Sequence, residues 1–516
     1  MLLNKLREYF GTDVFSRKCY ITSKFMNKTF YITTPIFYPN AKLHMGHAYV
    51  LTLSDILARY HRLVEDDTYF LSGADENTGK VLKNIKSGNQ NVTEYLDELS
   101  ENFQSLYKNL NISIDQFIRT SDKEKHWPGA IAFWNKLVEA GDVYKSKYQG
   151  LYCVECETFY TEKDLVEGKC PIHLVVPEKI EEENYFFKLS KYTQIIKENI
   201  ESDELKIVPA TRKNEILALL DRGLEDISFS RPIKTVPHGI PVPGDPEQVI
   251  YVWCDALVNY ISALGWPKSQ GDTLGSLDPK GVTLGLFEKF WPANVHVIGK
   301  DILRFHAAIW PAMLLSAGLP LPKSILVHGF ITSGGHKMSK SLGNVIDPQD
   351  LINEYGVEAV RYYLARHISP FEDGDLTPES FKESYNAHLA NGLGNLASRI
   401  LTMADKYGMS TVDIIEPKDL LSKYEYLDNF DINGYMEHVW TLIKMADKKI
   451  QDEEPYKKYK TDPHNTMKIV SELCAHLYEI AIWLKPVMPE TSKIIIDCLY
   501  NPKIKKPEKP LFARKD

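Results

Sequence analysis

Residues 29–35, Thr-Phe-Tyr-Ile-Thr-Thr-Pro, run through Tyr38-Pro39-Asn40 into His44-Met45-Gly46-His47, and Thr68-Tyr69-Phe70-Leu71 then leads to Gly73-Ala74-Asp75-Glu76. The first segment reads as a short buried strand that stops at a proline. The histidine tetrad opens a helix, because Leu53, Ile56, Leu57 and Tyr60 follow it at helical spacing. Residues 68–71 form the next strand. Strand, helix, strand in this rhythm is a βαβ unit, and ligands bind outside the carboxyl ends of such strands. Asp75 therefore stands where a substrate amine is met. The tetrad places its donors at the positive end of a helix dipole, which suits phosphate. Residues 73–80, GADENTGK, are not a P-loop: the spacing is one residue too long and Val81 replaces the Ser or Thr.

A second phosphate-suited motif, Lys337-Met338-Ser339-Lys340-Ser341, lies almost three hundred residues on, behind Gly334 and Gly335. It carries two lysines and two hydroxyls on a small-residue loop. The chain between and around the motifs, 516 residues in all, exceeds what one core supports, so several domains are expected. Hydrophobic content of 44% and charged content of 25% are those of a water-soluble globular protein. A net charge of −8 excludes a wholesale polyanion binder but leaves room for a local basic face. No stretch approaches the roughly 20 apolar residues of a membrane span, so no membrane partner is expected.

From 145 to 230 the α/β rhythm breaks. It resumes with Val249–Val252 and Val295–Ile298, and after about 385 strand signals nearly vanish. Helical patterns over 386–407, 431–451 and 465–485 predict an all-α region, and the last 16 residues a Pro/Lys tail along the surface. The expected division is 1–28 leader, 29–144 first half of the α/β domain, 145–230 insertion, 231–330 second half, 331–385 lysine-motif loop and linker, and 386–516 helical domain with tail.

Seven cysteines, an odd number, include a cluster: Cys153-x-x-Cys156, then Cys170-Pro171-Ile172-His173. Two thiolates at that spacing reach one tetrahedral ion, and Cys-x-x-His completes the shell. Thiolate plus imidazole without a redox task favours Zn²⁺, and four protein ligands make the site structural. The competing readings are unmetallated cysteines and a zinc ribbon on DNA; the second is disfavoured inside an enzyme-like α/β frame. The leader carries Lys5, Arg7, Arg17, Lys18, Lys24 and Lys28 against Glu8 and Asp13. That composition suits a mitochondrial presequence and so the mitochondrial matrix, with a disordered cytoplasmic extension as the alternative.

These motifs resemble the class I aminoacyl-tRNA synthetases and, among them, the methionyl-tRNA synthetases. The resemblance runs from about residue 29 to the end. It is carried by residues 33–40 leading into the tetrad, Gly73–Asn77, Tyr251-Val-Trp-Cys-Asp-Ala256, Ile298-Gly-Lys-Asp-Ile302 with Phe305-His306, and the lysine motif. The single cysteine knuckle looks like that of the one-zinc bacterial and organellar branch. The resemblance implies a Rossmann-like parallel sheet with an inserted zinc-knuckle connective domain, followed by an all-α anticodon-binding bundle. It implies ATP with Mg²⁺ as cofactors, methionine and its tRNA as partners, and His44, His47, Lys337 and Lys340 as the catalytic set. Gly46 and Asp301 complete the ATP site. Ile36, Asp75, Arg231, Trp253, Ala256, Tyr260, Ile302 and His306 bind methionine, and Asn395, Arg399 and Tyr456 meet the anticodon.

Three positions depart from the family pattern: Leu257 where proline is usual, Asn77 where histidine is common, and Tyr456 where a tryptophan stacks. Synthetases for leucine, isoleucine or valine carry a much larger editing insertion than 145–230 holds. A catalytically dead RNA-binding relative predicts eroded motifs, and both stand whole. The chain ends near Pro510-Leu511-Phe512, close to where the family's cores stop, so a monomer is expected.

Overall fold

Six strands build the central sheet: β1 (Thr29–Phe37), β2 (Asp67–Ala74), β3 (Gln116–Arg119), β4 (Lys206–Val208), β5 (Val295–Gly299) and β6 (Ser324–His328). The computed structural model describes residues 28–39, 42–85, 91–154, 158–160, 162, 165–171, 174–267, 285–338, 343–410, 416–500 and 503–516. The leader thus lies outside the described residues but for Lys28. Every neighbouring pair in the sheet is parallel, in the order β3-β2-β1-β5-β6-β4. Every residue of β5 and β6 is buried, as parallel strands covered on both faces require. The chain leaves β1 toward β2 and β3, then returns on the other side with β5 and β6. That reversal puts the topological switch point between β1 and β5.

The helices of the α/β half and the junction beyond it include α1 (Met45–Leu63), α2 (Trp127–Glu139), α3 (Val252–Ser262) and α4 (Val357–Arg366). β1, α1 and β2 are the expected βαβ unit. Two expectations need correction. Val249–Val252 does not resume the parallel sheet: Asp245–Ile250 pairs antiparallel with Ser230–Pro232 and Pro241–Val242, and α3 begins at Val252. An apolar Val/Ile run fits either sheet, and the available edge decided. Within the stretch expected as insertion, β4 joins the edge of the central sheet beside β6. Its three residues are too few to show a pattern.

The other strands of that stretch are antiparallel, with Val143–Cys153 paired to Glu178–Phe187 and to Thr158–Tyr160, and the helices Thr193–Glu201 and Ala210–Asp221 flank β4. Beyond residue 385 the described structure is helical: α5 (Asn395–Lys406), α6 (Ile432–Glu453), α7 (Pro463–Leu484) and α8 (Pro489–Tyr500), with a π-helical segment Tyr385–Gly394 leading into α5. Asp431 and Asp462 cap α6 and α7 by accepting from the Gly434 and Asn465 amides. The tail is irregular but anchored: Ile504 is fully buried, and the Tyr385 hydroxyl donates to the Ala513 carbonyl over 2.8 Å. Among the described residues no helix is long and apolar enough to cross a membrane.

Candidate active site

The two histidines of the tetrad cap their own helix. His44 Nδ1 accepts from the Gly46 amide at 3.0 Å, and His47 Nδ1 accepts from the His44 amide at 3.1 Å. With both Nδ1 atoms used as acceptors, each neutral ring carries its proton on Nε2. His47 is held well below the usual histidine range, first by burial of its ring and then by neighbouring His44. Glycine at 46 is a steric requirement: a Cβ there meets His44 Cε1 at 2.9 Å and pushes the first imidazole away.

A cleft of about 270 Å³ opens at the carboxyl ends of β1, β5 and β6. It brings His44, Gly46 and His47 together with Asp301, Ile302 and Met338, so the tetrad and the lysine motif share one cavity although the sequence separates them. The motif hangs from a hairpin, Ile331–Ser333 against His336–Lys337, turned by Gly334 and Gly335 at φ 62° and 76°. Two consecutive positive φ values make the type I′ turn that such a tight hairpin favours. Asp375 clamps it, its Oδ1 accepting from the Thr332 hydroxyl at 2.7 Å and the Gly335 amide at 2.9 Å. These donors hold the Asp375 carboxyl below the usual range. Lys340 and the side chain of Lys337 lie outside the described residues.

Beside this cleft stands an aromatic group built on α3. Trp253 stacks on Phe305 with ring centroids 3.7 Å apart, and Tyr38 and His306 meet it edge-on. His306 sits in a π-helical turn, Phe305–Ile309. Its Nδ1 donates to the Ile302 carbonyl at 3.1 Å, so its Nε2 accepts from the Tyr260 hydroxyl at 2.8 Å. Burial lowers His306 to about 4, and the ring is neutral. Tyr260 is raised, first by burial and in part by the charge of Asp75, which places that carboxylate in its neighbourhood. Asp75 follows the end of β2, 3% exposed, with its amide on the Phe37 carbonyl. Ile36 is half-buried near the end of β1, and Ala256 lies buried one turn beyond Trp253.

Arg231 is set apart. Its guanidinium pairs with Glu182 of the antiparallel insertion at 3.0 Å, lies 4.1 Å from the Tyr152 ring centroid, and lines a separate cavity of about 300 Å³ with Asn77 and Tyr251. The sequence reading missed Tyr38, Phe305 and His328. His328 lines the cleft from the end of β6, and its Nδ1 donates to the Gly329 carbonyl at 2.7 Å. Tyr38 and Phe305 both lie inside motif segments, but a π turn shifts which side chains share a face, and that shift has no pattern in sequence.

Cys153 and Cys170 are buried together with Tyr160, whose hydroxyl lies 3.6 Å from the Cys170 sulfur. Cys156 and His173 lie outside the described residues, and among those described no three metal-binding side chains gather. In the helical region Asn395 is exposed and Arg399 is half-buried on the same face of α5, its Nη1 2.6 Å from Asp447 on α6. Tyr456 is 51% exposed just past α6.

The family model described as tRNA synthetases class I (M) matches residues 30–176 and 172–401. The methionine–tRNA ligase of Caldanaerobacter subterraneus is 40% identical over 92% of this chain and 74% of its own length. That of Rickettsia prowazekii is 38% identical over 92% and 93%. Among solved structures, Mycobacterium tuberculosis methionyl-tRNA synthetase in complex with methionyl-adenylate superposes with a TM-score of 0.84 at 34% identity, covering 94% of this chain and all of that one. The chain belongs to the class I methionyl-tRNA synthetases. It is a methionine–tRNA ligase with the Rossmann-like α/β fold of that class and a helical C-terminal region. In this synthetase the cleft and the aromatic group stand side by side at the switch point of the sheet.

Proposed function

We propose that the chain joins L-methionine to ATP as methionyl-adenylate, then passes the methionyl group to the terminal ribose of its tRNA, in mitochondrial translation. The observation that carries the chemistry is the shared cleft. His44 and His47 present Nε2 donors in the cavity that holds Met338 of the lysine motif. The methionine carboxylate is ionised already and attacks the α-phosphorus. A carboxyl oxygen–phosphorus bond forms, the bridge to the β-phosphate breaks, and pyrophosphate leaves with the electron pair. No base is needed, so catalysis is positioning and charge stabilisation. His44, His47, Lys337 and Lys340 hold the phosphates, with Gly46 and Asp301 completing the site. Mg²⁺, when bound, neutralises the β- and γ-phosphates, and the Asp301 carboxylate in the cleft suits such an oxygen-ligated ion.

Methionine binding falls to Trp253, Ala256, Tyr260, Ile302 and His306 for the side chain, Asp75 for the amine, Ile36 for backbone contact and Arg231 for the carboxylate. A thioether offers apolar bulk and a weak acceptor, which a buried ring stack with a Tyr–His pair matches. Asn395, Arg399 and Tyr456 face the anticodon, where exposed donors and a ring meet splayed bases. Cys153, Cys156, Cys170 and His173 hold a structural Zn²⁺, supported by the two buried thiols gathered at Tyr160. The basic composition of residues 1–28 supports mitochondrial import.

Pyrophosphate exchange with each amino acid in turn tests the reading: methionine drives exchange and leucine, isoleucine and valine do not. Exchange with leucine alone overturns the specificity, and exchange with none overturns the activity. One zinc per chain by metal analysis, and import of a reporter fused to residues 1–28, check the remaining parts.

A further inference from the structure

Behind the aromatic group lies a buried polar cluster that the reaction does not use. Helix α3 carries Trp253, Ala256 and Tyr260 at i, i+3 and i+7 on one face, and Asp255, Asn259 and Ser262 at i, i+4 and i+7 on another. Asp255 Oδ2 accepts from Asn77 Nδ2 at 3.0 Å, and its Oδ1 lies 3.3 Å from His126 Nε2. His126 Nδ1 is 2.8 Å from the Ser262 hydroxyl. Asn77 Nδ2 also donates to the Thr120 carbonyl at 2.9 Å, and the Thr120 hydroxyl accepts from the Glu76 amide at 2.7 Å. Asp255, His126 and Thr120 are fully buried, Asn77 is 2% exposed and Ser262 3%.

The order Ser262–His126–Asp255 has the look of a nucleophilic triad, but packing rules that out. A Cβ on Gly129 meets the Ser262 Cβ at 2.7 Å, so α2 lies directly against the serine and leaves a substrate no room. What the cluster does is join three distant segments: the 75–78 exit of β2, the start of α2, and the rear of α3. A buried carboxylate is tolerable only when its partners are fixed, so these bonds hold their segments in one arrangement.

We infer that Asn77, Asp255 and His126 are positioning residues that set the gap between Asp75 and the Trp253–Tyr260 face, and so set the affinity for methionine. The inference rests on the assignment of methionine to that gap. Each of the three acts through the segment it holds. Asn77, one of the departures from the family pattern, is the link between the two walls. A histidine there keeps an N–H that can reach Asp255.

The test is pyrophosphate exchange by the full chain with methionine and ATP varied separately. Asn77→Ala removes the link and is expected to raise the KM for methionine about tenfold, with kcat and the KM for ATP changed less than about twofold. Asn77→His is expected to bring the methionine KM back to within about threefold of the unsubstituted chain, a rescue that loss of general stability does not give. If Asn77→Ala is unfolded by circular dichroism, His126→Gln is read by the same criterion. An unchanged methionine KM, or an equal rise for both substrates, overturns the inference. Absence of methionine-dependent exchange in the unsubstituted chain overturns the assignment beneath it instead.

Discussion

His306 shows how far one side chain's protonation is fixed by its neighbours. It donates from Nδ1 to a carbonyl and accepts at Nε2 from Tyr260, and burial lowers it from 6.5 to about 4. The unfolded chain therefore binds this proton first as pH falls. Stability is unaffected above about 6.5 and is lost progressively down to about 4, where the folded ring protonates too. A shift of that size corresponds to roughly 3 kcal/mol, and His306→Gln is expected to flatten this part of the curve when urea midpoints at pH 4.5 and 7.5 are compared. His47, His296 and His328 are lowered by burial as well, so the flattening is partial. Tyr260→Phe leaves the His306 acceptor buried without a donor, at a cost of about 1–3 kcal/mol, and raises the KM for methionine in pyrophosphate exchange. The residue types were legible in sequence, since Trp253 and His306 stand in motif segments and Tyr260 follows one by about a helical turn. The pairing of Tyr260 with His306 was not, because a π turn between Phe305 and Ile309 decides it.

Among the elements, those read correctly announce themselves locally. Helix α1 has a capping tetrad and helical periodicity, and β1 and β2 lie where expected, although β1 runs through Pro35 to Phe37 and β2 through Gly73 to Ala74. The errors concern pairing: Asp245–Ile250 and β4 took partners from distant sequence, and no local pattern names a partner. The lysine-motif hairpin combines both cases. Gly334-Gly335 marks the turn in sequence, but the clamp, Asp375, arrives from β-paired residues 374–375 after two intervening helices. Asp375→Ala removes the acceptor for Thr332 and Gly335 and loosens the base from which the lysines reach. The expected result is about a tenfold fall in kcat/KM for ATP in pyrophosphate exchange with the methionine KM unchanged. Equal effects on both substrates would falsify a local role for the clamp.

At the scale of the whole molecule, one buried ion cluster ties the catalytic and helical halves together. Asp55, in the middle of α1, pairs with Arg361 of α4 and with Arg59, each at 2.7 Å, and accepts twice from Ser113. Burial pushes the Asp55 carboxyl up, but the two arginines and Ser113 outweigh it, and its pKa lies below the usual range. Arg361 spends its other donors on the carbonyls of Leu110, Pro486 and Val487, the last two in the turn between α7 and α8. The helix that begins at the cleft is thus bonded, through one fully buried arginine, to the turn between α7 and α8 of the helical bundle. Removing one partner from such a pair leaves a charge stranded, so Arg361→Met is expected to cost about 3–5 kcal/mol in urea unfolding. Asp55→Asn strands the Arg361 charge in turn and sets its amide NH₂ against donors, so it is expected to cost a similar amount. The decisive variant is the double one. With no carboxylate left to strand, the Arg361→Met, Asp55→Asn protein is expected to be more stable than the sum of the single losses by at least about 1 kcal/mol, a coupling read from the double-mutant cycle. Additive losses mean that Arg361 acts through its carbonyl bonds alone, and then α1 is held to the bundle by packing and not by charge.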